Sequence, residues 1–252
     1  MPARPAQAHY RPYGTRAKLG LIVPPTNTVN EAEWWRMAPE GVTVHVTRMA
    51  LHTDAATAAG EARLYADVER AVKDLAAAGV DAIAYGCTAG SMVMPLERIT
   101  DFMSSVAGVP CVATAPSLVH ACRALGVTRV SLATPYHDAL NEHERHFLAE
   151  NGIEVIALKG LGIGAGGAHE FVRIARVPKE EGRAHARSVD SPAAEALMVS
   201  CTDFAMLESI PVLEQELGKP VVTSNQATFW AALRAAGVDD RIEGGGRLLR
   251  QH

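Results

Sequence analysis

Cys87 and Cys201 stand in matching phrases in the two halves of the chain. The first phrase is Val80-Asp81-Ala82-Ile83-Ala84-Tyr85-Gly86-Cys87-Thr88-Ala89, and the second is Ala194-Glu195-Ala196-Leu197-Met198-Val199-Ser200-Cys201-Thr202-Asp203. Each reads as a short apolar strand, one small residue, Cys-Thr and a helix-like continuation. An ordinary thiol has a pKa of about 8.5, and its thiolate is both a nucleophile and a base. Two thiols brought face to face suit proton movement at carbon: one abstracts or attacks while the other delivers a proton. The Thr88 and Thr202 hydroxyls add donors, and a helix opening after the cysteine presents backbone N–H groups to a carboxylate. Asn27 either caps the helix that follows it or offers its amide to a carboxylate. Tyr136 either packs or uses its hydroxyl to hold a carboxylate or stabilise developing negative charge. Cys111 lies inside a strand and Cys122 inside a helix, and both read as inert packing.

The elements that must position these residues come in the same order twice. A strand over 18–23 breaks at Pro24-Pro25, and Thr26-Asn27-Thr28 opens a helix with Glu31 and Glu33 in its first turns. A second strand follows over 41–49, then a helix over 64–78 with Leu64, Val68, Val72 and Leu75 on one face. The Cys87 strand leads to a helix over 92–107, the Pro110-led strand of Cys111, and a helix over 117–125. The order restarts with a strand over 129–133, broken by Thr134-Pro135-Tyr136 as Pro24-Pro25 broke the first. Next come a helix over 137–151, a strand over 153–159, the Cys201 strand, a helix over 207–217, a Pro220-led strand and a helix over 225–236. Strand–helix alternation of this kind predicts an α/β fold with parallel sheets covered on both faces. In such sheets ligands bind beyond the carboxyl ends of the strands, where the loops at 24–28, 86–89, 134–136 and 200–202 all fall.

The chain has 252 residues, of which 48% are hydrophobic and 21% charged, as in ordinary globular proteins. A net charge of -4 offers no basic surface for nucleic acid. No apolar run approaches the roughly 20 residues of a membrane helix. Residues 1–17 read as a flexible extension rather than a secretory leader, and the four cysteines then read as free thiols of a reducing cytoplasm. No Cys or His spacing suggests a metal site. Gly160-Leu161-Gly162-Ile163-Gly164-Ala165-Gly166-Gly167 does not open a helix after the first strand, as a dinucleotide loop must, so it reads as a mobile flap beside the site. His137, His143 and His146 share no ligand face, and no serine sits in a nucleophile elbow.

Pro24-Pro25-Thr26-Asn27-Thr28, Gly86-Cys87-Thr88, Thr134-Pro135-Tyr136, Ser200-Cys201-Thr202 and Pro220-Val221-Val222-Thr223-Ser224-Asn225-Gln226 resemble the aspartate/glutamate racemase superfamily. Within it they look like the maleate cis-trans isomerase and arylmalonate decarboxylase branch. The resemblance covers roughly residues 18–249. It implies two pseudo-symmetric lobes, each a parallel sheet flanked by helices, with the active site between them and no cofactor. We expect residues 18–116 with 225–252 to form the first lobe and 117–224 the second. Carried over by motif, Cys87 matches the nucleophilic cysteine and Cys201 the proton-donating one. Asn27 and Tyr136 match the carboxylate-binding pair, backbone amides at Thr88, Ala89 and Thr202 match the carboxylate cradles, and Pro25 is placed beside the substrate. The resemblance further implies a homo-oligomer, a dimer or tetramer.

Two departures bear on the substrate. Arylmalonate decarboxylases keep only the second cysteine, so Cys87 speaks against that reaction. Maleate isomerases carry an asparagine in the loop matching Gly164-Ala165-Gly166-Gly167-Ala168-His169, which has none, and a bulkier or differently charged substrate would fit that change. The leading expectation is a cofactor-independent isomerase acting on a small carboxylate, with maleate to fumarate as the single best guess. A racemase of amino acids or hydantoins, a decarboxylase of malonates, and a catalytically silent carboxylate binder remain open.

Overall fold

The computed structural model describes residues 12–52, 54–55, 57–92 and 95–252. Its elements run β1 (Ala17–Val23), α1 (Asn30–Met37), β2 (Val42–Arg48), α2 (Ala58–Ala77), β3 (Ala82–Tyr85), α3 (Thr88–Ser91), α4 (Arg98–Ala107), β4 (Cys111–Ala113) and α5 (Thr114–Ala124). The second run is β5 (Arg129–Tyr136), α6 (Asp138–Glu150), β6 (Glu154–Ile163), a 3-10 helix (Ala168–Arg176), α7 (Lys179–Arg187), β7 (Ala196–Val199), a 3-10 turn (Leu207–Ser209), α8 (Ile210–Leu217), β8 (Val221–Thr223) and α9 (Ser224–Ala235). A last helix, α10 (Gly246–Gln251), follows.

All strand pairs are parallel, in two four-stranded sheets of equivalent order, β2-β1-β3-β4 and β6-β5-β7-β8. The chain is thus an α/β protein of two like halves. β3 and β7, which lead into the two cysteines, are central strands buried on both faces, as their unbroken apolar runs require. Ile83 and Tyr85 of β3 pack with α2 and α4, whereas Ala82 and Ala84 face a cluster shared with the second sheet. The helix after the last strand of each sheet crosses to the other one. Leu118, Val119 and Cys122 of α5 pack on Leu132, Met198 and Val222, and α9 lies against β3 and β4. Trp34 of α1 meets Phe229 of α9 edge-on at 5.2 Å between ring centres.

Four boundaries depart from the sequence reading. β5 does not break at Thr134-Pro135-Tyr136 but runs through it. By then β7 has ended, since its last pair is Ala133 with Val199, and the register with β6 shifts between Thr134 and Tyr136. Pro135 therefore sits where no ladder bond is asked of it. Residues 160–163 of the expected flap belong to β6, paired with Thr134 and Tyr136. The helix expected over 92–107 starts only at Arg98, and residues 93 and 94 lie outside the described ones. Of the extension at 1–17, residues 1–11 also lie outside the described ones, and Ala17 already belongs to β1. No helix among the described residues is long and apolar enough to cross a membrane.

Candidate active site

Cys87 and Cys201 each follow a central strand by two residues, and they line one cavity of about 60 Å³ between the carboxyl ends of the two sheets. Pro24, Thr26, Asn27, Leu51, Thr88 and Ala89 line it from the first half. Tyr136, Leu140, Phe171, Ile174, Thr202 and Asp203 line it from the second. Pockets for drug-sized ligands run to about 300 Å³ or more, so this one suits only a compact molecule. Pro25 does not join it: its neighbours Pro24 and Thr26 face the cavity and Pro25 is exposed.

The two cysteine loops are built differently. Cys87 has ordinary extended backbone (φ -144°, ψ 110°), and its sulfur caps α3 by accepting the Gly90 N–H at 3.3 Å. Gly90 is the third residue of that turn, so Thr88 and Ala89 keep amides with no intrahelical acceptor. After Cys201 the expected helix does not form. Cys201 has φ +100°, the one non-glycine residue in the left-handed range among the described residues. Its sulfur accepts the Asp203 N–H at 3.4 Å in a tight turn.

A hydrogen-bond chain ties the loops together. Thr202 donates to the Gly86 carbonyl at 3.1 Å and receives the Asn27 amide at 3.0 Å. Ser224 Oγ accepts the Cys201 N–H at 3.0 Å and pairs with Thr88 Oγ1 at 3.0 Å. Asn27 Oδ1 accepts the N–H groups of Val29 and Asn30 at the start of α1, which meets the capping role, while Nδ2 donates to Thr202 on the cavity side. The sequence reading gave no role to Ser224, although it occupies the place after the Pro220-led strand that Thr114 holds after the Pro110-led one.

Burial raises both thiols. Cys87 is raised by burial and eased down by the Gly90 N–H and the Tyr85 hydroxyl. Cys201 is pushed up to about 12 by burial, with the Tyr136 hydroxyl and Asp203 N–H opposing and the Asp203 carboxylate adding to the rise. Asp203 itself is raised to about 6 by burial, against the pull of the Thr28 N–H it accepts and of the nearby Val29 N–H. The first thiol has donors and no adjoining carboxylate, so it is the easier to ionise. Both thiols bear their protons at neutral pH. Cys111 and Cys122 take no part in the cavity and are raised by burial to about 11 and about 12. No group of His, Cys, Asp and Glu among the described residues is arranged to hold a metal ion.

Four apolar walls, Leu51, Leu140, Phe171 and Ile174, were not foreseen. For Phe171 and Ile174 a signal existed: Phe171, Ile174 and Val177 recur every third residue, the period of the 3-10 helix that carries them to the core.

A sequence profile of the family "Arylmalonate decarboxylase" matches residues 19–249. The maleate isomerase of Nocardia farcinica is 30% identical over 247 residues, covering 93% of this chain and 96% of that protein. The arylmalonate decarboxylase of Bordetella bronchiseptica is 37% identical over 152 residues, 60% of this chain and 62% of that one. Among solved structures, a cysteine-to-serine mutant of the Nocardia farcinica maleate cis-trans isomerase with a covalently bound succinylcysteine intermediate superposes with a TM-score of 0.81 at 28% identity, covering 94% of this chain and 99% of that one. Unliganded arylmalonate decarboxylase does so with a TM-score of 0.80 at 28% identity, covering 94% and 100%.

Proposed function

Because this chain belongs to the arylmalonate decarboxylase family, as the match over residues 19–249 establishes, we propose that it is a two-thiol isomerase that needs no cofactor and converts maleate to fumarate. The observation that carries this reading is the pair of buried sulfurs on one compact cavity, both raised by burial, the first with donors and no adjoining carboxylate and the second with Asp203 beside it. The Cys87 thiolate adds to one alkene carbon, forming a C–S bond. The π pair moves to the neighbouring carbon, which takes the Cys201 proton. Rotation about the new single bond brings the carboxylates apart. The Cys201 thiolate then takes a proton back from that carbon, the C–S bond breaks, and the trans alkene leaves. No electron is gained or lost overall. Neutral donors hold the carboxylates: the amides of Thr88, Ala89 and Thr202, the Asn27 amide and the Tyr136 hydroxyl. Relatives support this reading, since the Nocardia farcinica homologue is named a maleate isomerase.

Proton NMR of the protein with maleate in deuterated buffer tests the proposal. Fumarate is the expected product, and its absence at catalytic protein concentrations sinks maleate as the substrate. One observation favours a second reading: the apolar walls suit a substituted malonate, whose decarboxylation releases carbon dioxide in the same assay format. A cytoplasmic homo-oligomer, dimer or tetramer, belongs to the same proposal, and light scattering after size exclusion measures the assembly.

A further inference from the structure

Tyr85 is a buried phenol that the proposed mechanism does not use. It lies at the end of β3, two residues before Cys87, so both side chains leave the strand on the same face and pack in one cluster with α2 and α4. Its hydroxyl lies close enough to the Cys87 sulfur to ease that thiol down and to be raised by it in turn. Gly90 closes the arrangement. Its N–H donates to the same sulfur, and a Cβ placed on it would collide with the Tyr85 hydroxyl while standing 3.1 Å from the sulfur. The position must therefore lack a side chain for Tyr85 to reach the thiol. In the second half the phenol beside the thiol comes from a different strand: Tyr136 at the end of β5 shares the cavity with Cys201 and eases it down, and the residue two before Cys201 is Val199.

We infer that Tyr85 is a positioning residue for the nucleophile, its hydroxyl donating to Cys87 Sγ and stabilising the thiolate when it forms at the cavity. The role rests on Cys87 being the attacking thiol of the proposed isomerisation. The other titratable groups around Cys87 are Cys201, Tyr136 and Asp203 across the cavity, with His52, His137 and His143 on the wider rim beyond Gly90.

The test is Tyr85→Phe, with iodoacetamide alkylation of Cys87 followed by peptide mass spectrometry across pH. Loss of one donor to a charged sulfur moves the midpoint of Cys87 alkylation upward by about one pH unit. At pH below both midpoints the thiolate fraction then falls about tenfold, and kcat falls with it while KM stays within about twofold. Gly90→Ala, which drives a methyl into the hydroxyl's place, moves the midpoint in the same direction. An unmoved Cys87 midpoint in a folded Tyr85→Phe protein overturns the inference. If that variant does not fold, an unmoved midpoint in Gly90→Ala overturns it instead. Alkylation needs no turnover, so a protein inert toward maleate still reports on Tyr85.

Discussion

Two buried glutamates occupy equivalent places in the two halves. Asn30-Glu31-Ala32-Glu33 on α1 and Asn141-Glu142-His143-Glu144 on α6 follow the first strand of each sheet, and Glu33 and Glu144 are 6% and 1% exposed. Glu33 is fully supplied with donors. One oxygen accepts the Met206 and Leu207 N–H groups at 2.8 Å each, and the other accepts the Asn225 amide at 2.7 Å. Glu144 has none: neither oxygen completes a hydrogen bond, nor does the nearby Ser200 hydroxyl, which only slightly favours the carboxylate. Burial raises Glu33 against the pull of its donors, and burial raises Glu144 to about 7. The repeat thus copies residue type and depth without copying the partners. With donors, a buried carboxylate fastens the segment after Cys201 to α1. Without them, the same residue holds a proton behind the second cysteine loop. The cysteines diverge in the same way, Cys87 with donors alone and Cys201 with a carboxylate beside it and a left-handed backbone.

The largest effect separates the two thiols. Cys87→Ser and Cys201→Ser each lower maleate turnover by on the order of 10³-fold or more. Only Cys201→Ser retains the attacking sulfur, so it accumulates a covalent adduct heavier by one maleic acid on the Cys87 peptide. An adduct on Cys201 in the Cys87→Ser protein would reverse the assignment of roles.

The glutamates come next, with opposite signs. A carboxyl raised on folding binds its proton more tightly in the native state, so the stability it contributes is present at low pH and lost as pH rises between about 4.5 and 7. Glu144→Gln lacks that loss. Relative to the natural protein it gains about 2–3 kcal/mol between pH 5 and pH 8, read from urea melts at each pH. Glu33→Gln turns an acceptor toward the Asn225 amide into a donor, and it costs about 1–3 kcal/mol at pH 5. Equal and pH-independent losses in both variants would erase the distinction between the two halves.

What the sequence disclosed follows from what is local. Cys87, Cys201 and the alternation of strands and helices are carried by short phrases and by apolar periods, and the phrases recur. Asn27 and Tyr136 sit at strand ends, where position alone implicates them. The ends of β5 and β6 were not legible, because whether Pro135 stops a strand depends on which neighbour still pairs there, and β7 stops at Val199. The helix expected after Cys201 failed for a similar reason: Thr202 is drawn across to Gly86 and Asn27 of the other half, a partner no local pattern contains. Tyr85, Ser224 and Glu144 owe their surroundings to contacts between segments far apart in the chain. The Asn-Glu-x-Glu repeat is plain in the sequence, but its meaning rests on partners that only the fold supplies.

The smallest effect isolates the backbones of the two cysteine loops from their sulfurs. At φ +100° a side chain costs about 1 kcal/mol or more that glycine does not incur. Cys201→Gly is therefore more stable than Cys201→Ala by about 1 kcal/mol. At Cys87 the backbone is ordinary and extended, and glycine adds only unfolded-state freedom. Cys87→Gly is less stable than Cys87→Ala by about 0.5–1 kcal/mol. Each comparison is between two variants that both lack the sulfur, so the thiol's own interactions cancel. Urea midpoints at matched slopes measure the differences. Opposite signs would locate the asymmetry in the chain path itself. Like signs would mean that the Cys201 turn is held open by its sulfur and its Asp203 N–H bond, and relaxes once the sulfur is gone.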